Sequence, residues 1–218
     1  MTYFPYIILA LISYLLGSLN FGVILSNKLK NDDVRNHGSG NAGTTNMLRN
    51  YGKKFAVLTI LGDMLKVVVA IAIAFLLIKY TPLKLNISSV IPDIDEKMFV
   101  KSFVGFFCVL GHIYPCFFKF KGGKGVATSG GMVFVVDWRI ALILLAIFII
   151  VVLATKYVSL GSIIMAILYP VLIYLFHSSI VLTMIALVFT VIVVVAHREN
   201  IKKLLNHTES KITDKKNK

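Results

Sequence analysis

Apolar residues along this chain come in long blocks that short polar segments separate. The blocks lie near residues 3–25, 55–78, 102–118, 126–136, 140–155, 157–176 and 180–196. A helix needs about 20 apolar residues to cross about 30 Å of hydrocarbon, and the blocks lack the one-sided spacing of a surface helix. The pattern therefore predicts an all-α polytopic integral membrane protein.

Residues 126–155 allow two interpretations. They could form one long helix, or two short helices hinged at Asp137, Trp138 and Arg139. Cytoplasmic loops accumulate Lys and Arg, so the basic segments of the chain can decide between the two. These segments are residues 26–54, residues 119–125 and the tail from Arg198, which holds seven cations.

Two helices over 126–155 give seven spans and place all three basic segments in the cytoplasm, whereas one helix would leave the basic tail outside. We therefore expect seven transmembrane helices, some of them short, with the N-terminus outside and the C-terminus cytoplasmic. The 80–101 loop, which contains Asp93, and the turn at Ser178 would then lie outside. Residues 1–27 carry no charged side chain and no cleavage signal, so we expect a permanent first span there.

Composition agrees with a membrane protein. Hydrophobic residues make up 57% of the chain and charged residues 15%, with a mean hydropathy of +0.83, whereas an ordinary globular domain is about 25% charged. The same composition excludes a disordered chain and a coiled coil. A secreted disulfide scaffold is excluded, because the only cysteines, Cys108 and Cys116, lie in an apolar stretch. We expect one membrane domain over residues 1–206 and a polar, disordered cytoplasmic tail over 207–218.

The net charge of +13 would indicate nucleic acid as the partner of a soluble protein. Here the cations lie between apolar blocks, as they do in cytoplasmic loops, so no nucleic-acid partner is expected. Anionic lipid headgroups are the expected surroundings of the basic tail.

The first basic segment contains the sequence RNHGSGNAGTTNMLR at residues 35–49. Glycines allow the backbone to bend close to a ligand, small polar side chains supply neutral hydrogen-bond donors, and Arg49 can bind a phosphate with two parallel hydrogen bonds. The glycines are Gly38, Gly40 and Gly43, and the small polar residues are Ser39, Asn41, Thr44, Thr45 and Asn46. A flexible polar connector uses the same residue types, so spacing alone leaves both interpretations open.

The second loop, KFKGGKGVAT at residues 119–128, is the more specific signal. Gly122, Gly123 and Gly125 allow backbone N–H groups to converge, and a helix predicted from Val126 would add its positive end to an anion site. Lys124 and Lys121 would add charge, and the loop continues to Thr128. A Walker A loop is excluded, because Phe118 and Gly125 occupy its required glycine and Ser/Thr positions. Positive-inside topology explains the lysines but leaves the triple glycine unexplained.

Three further features have ordinary structural interpretations when taken alone. Asp63 and Lys66 lie three apart inside an apolar block, where an ion pair would lower the cost of burial, either as a functional pair or as a structural clamp. His112 is a typical packing residue near a helix end. The HRENI cluster, from His197 to Ile201, follows the last apolar block as an interfacial anchor would.

The two glycine-containing loops share one chemistry. Neither contains a carboxylate between residues 35 and 49 or between 119 and 128, and no ligand set for Mg²⁺ or Zn²⁺ is visible. We therefore expect a site without metal or cofactor that binds phosphorylated anions at the cytosolic edge of the bilayer.

Seven short motifs, in order along nearly the whole chain, resemble those of one family. They are GSLNFG at 17–22, GSGNAGTTNMLR at 38–49, LGDMLK at 61–66, GHIYP at 111–115, FKGGKGVAT at 120–128, YVSL at 157–160 and HRENI at 197–201. The chain resembles the bacterial acyl-phosphate:glycerol-3-phosphate acyltransferases, the PlsY family. Asn20 stands where the family usually has proline, and Thr44 where it usually has alanine.

The resemblance implies transfer of a fatty acyl group from acyl phosphate to the sn-1 hydroxyl of glycerol 3-phosphate, giving lysophosphatidate and phosphate. It implies a multi-pass protein of the bacterial inner membrane with its active site facing the cytoplasm, and an upstream enzyme that forms acyl phosphate. The implied catalytic residues are Ser39, Arg49, Lys124, His197 and Asn200. The implied substrate-binding residues are Gly38, Gly40, Asn41, Asn46, Lys121, Gly122, Gly123, Gly125, Thr128 and Ser159.

Acyl phosphate carries a good leaving group, so such an enzyme needs no nucleophile of its own, and positioning with charge stabilisation can supply most of the rate. The base for the attacking hydroxyl stays open between His197 and a substrate phosphate oxygen. A transporter of phosphorylated anions would also use broken helices and basic loops, but the inverted repeat typical of transporters is not found in the sequence. A lipid-binding scaffold would not need the glycines and asparagines.

Overall fold

The computed structural model describes residues 3–83, 85, 87, 89, 91 and 94–213. Every regular element within these residues is helical, which confirms the all-α prediction. The chain divides into two compact units, Met1–Val136 and Asp137–Lys218.

The first unit is built from helices that differ widely in length. They are α1 (Phe4–Gly17), α2 (Phe21–Lys30), α3 (Thr44–Tyr51), α4 (Lys53–Tyr80), α5 (Glu96–Ile113) and α6 (Val126–Val136). Short 3-10 helices at Val34–Asn36 and Cys116–Phe118 precede the two loops that the sequence singles out.

Asn20 separates α1 from α2. It lies in an extended conformation, and its side-chain oxygen accepts a 3.3 Å hydrogen bond from the backbone N–H of Val23, which caps α2. Asp95 caps α5 in the same way by accepting from the N–H of Met98 at 3.0 Å. Short polar side chains therefore set helix starts inside a largely apolar chain.

Glycines allow α1 and α5 to approach closely. A Cβ added to Gly17 would collide with the carbonyl of Cys108, and one added to Gly111 would collide with the carbonyl of Tyr14. Helices in membranes associate through such small residues, because lipid gives no hydrophobic drive between them. The contact fixes the C-terminal end of α5, which leads to the loop at residues 119–125.

The second unit contains α7 (Trp138–Thr155), α8 (Val158–His177), α9 (Ile180–Ala196) and α10 (Arg198–Leu205). Asp137 caps α7 by accepting from the N–H of Arg139 at 2.9 Å, and His177 lies 2.9 Å from the same carboxyl group. The hydroxyl of Thr190 on α9 donates to the carbonyl of Ala166 on α8 at 2.6 Å. α9 and α10 meet at an angle of 61°.

Five helical segments of the described chain are long and apolar enough to cross a membrane, or six if the bent pair α9–α10 counts as one span. The prediction of two helices over residues 126–155 is confirmed, because α6 ends at Val136 and α7 begins at Trp138. α6 has only 11 residues. Seven transmembrane helices and the orientation of the termini stay predictions, and Asp93 lies outside the described residues.

Candidate functional site

Asn46 organises the loop between α2 and α3. Its buried amide nitrogen lies 2.9 Å from each of three carbonyl oxygens, those of Val34, His37 and Asn41. Its Oδ1 accepts from the backbone N–H of Ser39 at 3.1 Å. One amide side chain therefore fixes the curvature of most of the loop.

Ser39 is held between two glycines in a left-handed conformation. The φ angles of Gly38 and Gly40 are 59° and 68°, which L side chains rarely adopt, and a Cβ on Gly38 would collide with Asn46 Oδ1. The Asn41 side chain accepts from the N–H of Gly43 at 2.9 Å, just before α3 begins. The exposed Ser39 thus lies in a turn of defined conformation, which a flexible connector lacks.

Arg35 joins this loop to the glycine loop, residues 119–125. Its Nη1 donates hydrogen bonds to the carbonyl oxygens of Phe118 at 2.9 Å and Lys121 at 2.8 Å. The other side of the guanidinium binds Asp33, with the shortest contact, at 2.6 Å, from Nη2 to Oδ2. The planar fork of arginine makes both sets of contacts at once.

Two acidic residues at the start of the loop between α2 and α3 accept hydrogen bonds from nearby side chains. The hydrogen bonds from Arg35 lower the pKa of the Asp33 carboxyl group, and the hydrogen bond from Tyr51 lowers that of Asp32. Burial, together with the Asp32 carboxylate, raises the pKa of Tyr51 to about 12. At neutral pH both carboxyl groups are therefore charged and Tyr51 is a neutral hydrogen-bond donor.

The glycine loop folds back onto the end of α5. The N–H of Gly122 donates to the carbonyl of Ile113 at 3.2 Å, and the N–H of Gly123 donates to the carbonyl of His112 at 3.1 Å. A Cβ on Gly122 would collide with that carbonyl of His112, and a Cβ on Gly123 would collide with the His112 ring. The sequence predicts that these two amides face an anion, but in the structure they hold the loop against α5.

The first turn of α6 supplies other donors. The carbonyl of Gly125, whose φ angle is 81°, accepts from the N–H of Ser129 at 2.7 Å, the first hydrogen bond of the helix. The N–H groups of Val126, Ala127 and Thr128 come before this bond, so the helix has no acceptor for them. Thr128 is 0% exposed, and within the described chain its Oγ1 has no partner. This helix end is suited to an anion.

The predicted cations differ in their surroundings. Arg49 lies in the last turn of α3 and Lys124 lies within the glycine loop. Both are half-buried, and both interact with other parts of the chain. Lys121 is exposed and contributes its carbonyl group to Arg35. Among the described residues, no group of three or more His, Cys, Asp and Glu is placed to hold a metal ion.

The remaining predicted residues lie in the second unit, where His197 is buried at the junction of α9 and α10. Its Nδ1 lies 2.8 Å from the carbonyl oxygen of Val193. A carbonyl only accepts, so Nδ1 carries a proton and donates to Val193.

Glu209 brings Ser159 and Asn200 together. Its Oε1 accepts from the Ser159 hydroxyl at 2.7 Å and from the Asn200 amide at 2.7 Å. The N–H of Ile212 also donates to the carbonyl of Lys156 at 2.9 Å. These contacts fall in the described part of the predicted tail, and residues 214–218 lie outside the described residues. Sequence reasoning missed Glu209, because nothing local marks it within a polar tail.

Known proteins match this chain along nearly its whole length. The family model described as glycerol-3-phosphate acyltransferase matches residues 7–207. A glycerol-3-phosphate acyltransferase of Clostridioides difficile (strain 630) is 41% identical over 217 residues, which cover 99% of this chain and 100% of the relative. The one from Bacillus subtilis (strain 168) is 37% identical over 206 residues, covering 94% of this chain and 96% of that relative.

Two crystal structures share this fold. Both are of PlsY (YgiH), an integral membrane glycerol 3-phosphate acyltransferase, one in its glycerol 3-phosphate form and one in its lysophosphatidic acid form. The TM-scores are 0.80 and 0.78, each at 36% identity with 94% of both chains covered.

Proposed function

The chain belongs to the glycerol-3-phosphate acyltransferase family, and from this premise we propose that its acyl donor is acyl phosphate and its product lysophosphatidate. The sn-1 hydroxyl oxygen of glycerol 3-phosphate forms a bond to the acyl carbon while the bond from that carbon to the phosphate oxygen breaks. The hydroxyl proton goes to a base, and phosphate leaves with the electron pair of the broken bond.

The observation that carries this proposal is the link between the two loops through Arg35. The link joins the loop that contains Ser39, which leads into α3 and Arg49, to the loop that contains Lys124. A reaction between two phosphorylated substrates needs two anion-binding elements in a fixed relation, and phosphate as leaving group removes the need for an enzyme nucleophile.

The residues divide between phosphate binding and acceptor placement. We assign phosphate binding to Ser39, Arg49 and Lys124, with Arg49 binding the phosphate group of glycerol 3-phosphate. The amides and hydroxyl of the first turn of α6 assist them, because the amides of Gly122 and Gly123 hold the loop. The remaining substrate-binding positions shape the two loops; they are Gly38, Gly40, Asn41, Asn46, Lys121 and Gly125.

Placement of glycerol 3-phosphate is assigned to His197 and Asn200, with Ser159 acting through the shared Glu209 carboxylate. The hydrogen bond from Nδ1–H to the Val193 carbonyl is compatible with His197 as the base, because a neutral ring protonated on Nδ1 has its lone pair on Nε2. A phosphate oxygen of the substrate is the other candidate.

The proposal includes a location. Seven spans, with the N-terminus outside and the C-terminus inside, would place both loops at the cytoplasmic face of the bacterial inner membrane. An upstream enzyme that forms acyl phosphate would supply the donor there. Residues 1–206 would form one membrane domain, and residues 207–218 would form a cytoplasmic tail.

Phosphate release tests the function directly. Purified protein in lipid nanodiscs is given acyl phosphate with and without glycerol 3-phosphate. We expect release that depends on glycerol 3-phosphate and matches lysophosphatidate formation one for one. Uptake of glycerol 3-phosphate into sealed vesicles without phosphate release would instead support a transporter and contradict the proposal.

A further inference from the structure

A buried cluster of three charged or polar side chains lies beneath the glycine loop. The Nζ of Lys66 on α4 lies 2.9 Å from Asp63 Oδ1, 3.0 Å from the carbonyl oxygen of Leu19 and 2.8 Å from His112 Nδ1. Lys66 and Asp63 side chains are 2% and 1% exposed. The three donors of the ammonium group thus have one partner each.

These contacts determine which nitrogen of His112 carries the proton. A charged ammonium group has no lone pair, so His112 Nδ1 must accept the hydrogen bond from Lys66. The neutral ring then carries its proton on Nε2. Asp63 balances the charge of Lys66, so the cluster as a whole is neutral.

The Nε2 side of the ring faces the glycine loop. A Cβ built on Gly123 would meet Nε2 first, which places this nitrogen against the loop backbone. The carbonyl of His112 also accepts the N–H of Gly123 at 3.1 Å. His112 therefore supports the loop with its ring and its backbone together, and its N–H donor is on the side of the loop.

Packing alone does not account for these three residues. Replacing a buried ion pair with apolar side chains of similar volume is often neutral or stabilising. Anion binding at the loop, as proposed above, does account for them. In the opposite tautomer, the Nε2 lone pair would face the loop and repel the anion.

We propose that His112 is a positioning residue for acyl transfer, which Lys66 and Asp63 hold in the Nε2–H tautomer so that the glycine loop keeps its conformation and an N–H donor, rather than a lone pair, faces the loop. The inference rests on the proposed binding of the acyl-phosphate phosphoryl group at this loop. It concerns the donor substrate and leaves the binding of glycerol 3-phosphate to other residues.

The tautomer is measured by ¹⁵N NMR of histidine-labelled protein in nanodiscs, with His112→Gln used to assign the signal. We expect an unprotonated Nδ1 and a protonated Nε2 in the wild type, opposite to His197. Lys66→Met leaves only Asp63, 3.4 Å from Nδ1, as a partner, so the proton should move to Nδ1. A wild-type His112 protonated on Nδ1 would overturn the inference.

A matched pair of substitutions tests the consequence for the reaction. The amide of glutamine reaches the position of Nε2, whereas the amide of asparagine reaches only that of Nδ1. We expect His112→Gln to keep kcat/KM for acyl phosphate within about threefold of wild type and His112→Asn to lose about tenfold or more. KM for glycerol 3-phosphate should change by less than about twofold in both.

Equal losses in the two His112 variants, at equal thermal stability, would show a structural role alone and overturn the inference. The NMR measurement on wild-type protein does not depend on whether a variant folds. Absence of phosphate release from acyl phosphate in the wild type would contradict the proposed function, whereas an active wild type with the Nδ1–H tautomer would contradict only the role of His112.

Discussion

The Arg35 guanidinium donates a 2.8 Å hydrogen bond to the carbonyl oxygen of Lys121, 86 residues further along the chain. Because its other edge is held by Asp33, the arginine acts as a rigid link between the two loops. The relative position of those loops therefore depends on the shape of one side chain as well as on its charge.

Arg35→Lys keeps the charge but loses the fork, so it cannot bind Asp33 and two carbonyl groups together. We expect kcat/KM for acyl transfer to fall about tenfold, which is about 1.4 kcal/mol of transition-state stabilisation. Steady-state kinetics of the purified variant measure the loss.

The matched control is Arg139→Lys. Arg139 makes the same local contacts with Asp137, two residues before it, but lies at the start of α7 in the second unit. We expect it to leave kcat/KM unchanged. Equal losses in both variants would mean that the Asp-x-Arg turn, and not the link to the glycine loop, explains the effect.

Gly123→Ala should disturb the glycine loop, because the new Cβ would collide with the His112 ring. We expect kcat/KM for acyl phosphate to fall about tenfold or more. Gly130→Ala is the control, since a Cβ at Gly130 meets nothing within 4 Å. Wild-type activity of the Gly123 variant would show that the close contact with His112 is not needed.

Arg49→Lys tests the predicted bidentate grip on a phosphate group. Lysine keeps the charge but not the planar pair of donors, so we expect KM for glycerol 3-phosphate to rise about tenfold with a smaller change in kcat. The KM for acyl phosphate serves as the internal control and should stay within about twofold. A rise in both KM values would contradict the assignment of Arg49 to the glycerol 3-phosphate site.

Glu209→Ala removes the common partner of Ser159 and Asn200. Turnover at saturating glycerol 3-phosphate should fall about tenfold, because Asn200 loses its orientation. The control is Glu199→Ala: the Glu199 side chain is 64% exposed, and its ion pairs with Arg198 and Lys202 are both 3.7 Å long, so little loss is expected. Similar kinetics of the two variants would contradict a specific role for Glu209.

The seven-span topology is tested by labelling single cysteines in a variant that lacks Cys108 and Cys116. We expect a cysteine at position 124 to react from the cytoplasmic side of inner-membrane vesicles and one at position 178 to react only from the other side. The expectation follows from the basic segments, which cytoplasmic loops accumulate. Reaction of both positions from one side would contradict the topology.

Local sequence signals predict much of this fold. The break between α6 and α7 occurs at Asp137, where the sequence places the hinge, because a short acidic side chain caps the next helix. The loop that contains Ser39 and the glycine loop also lie where predicted. Gly38, Gly40 and Gly125 have positive φ angles there, which glycine adopts more readily than other residues.

Contacts between distant segments leave no such signature. The sequence predicts that the amides of Gly122 and Gly123 are available to a ligand, but α5 supplies carbonyl acceptors for both. The partners of Arg35 are carbonyl groups, which every residue has, so no pattern of side chains identifies them. The same holds for Glu209, whose partners lie 50 and 9 residues away.

The position of Lys66 within α4 affects how the protein should respond to added salt. Lys66 is 13 residues after Lys53, where α4 begins, or about 20 Å along the helix at 1.5 Å per residue. Dissolved ions screen exposed charges over about 8 Å at physiological salt but screen buried pairs far less. Added salt should therefore weaken the capture of phosphorylated substrates by exposed cations such as Lys121, while the support beneath the glycine loop stays unchanged.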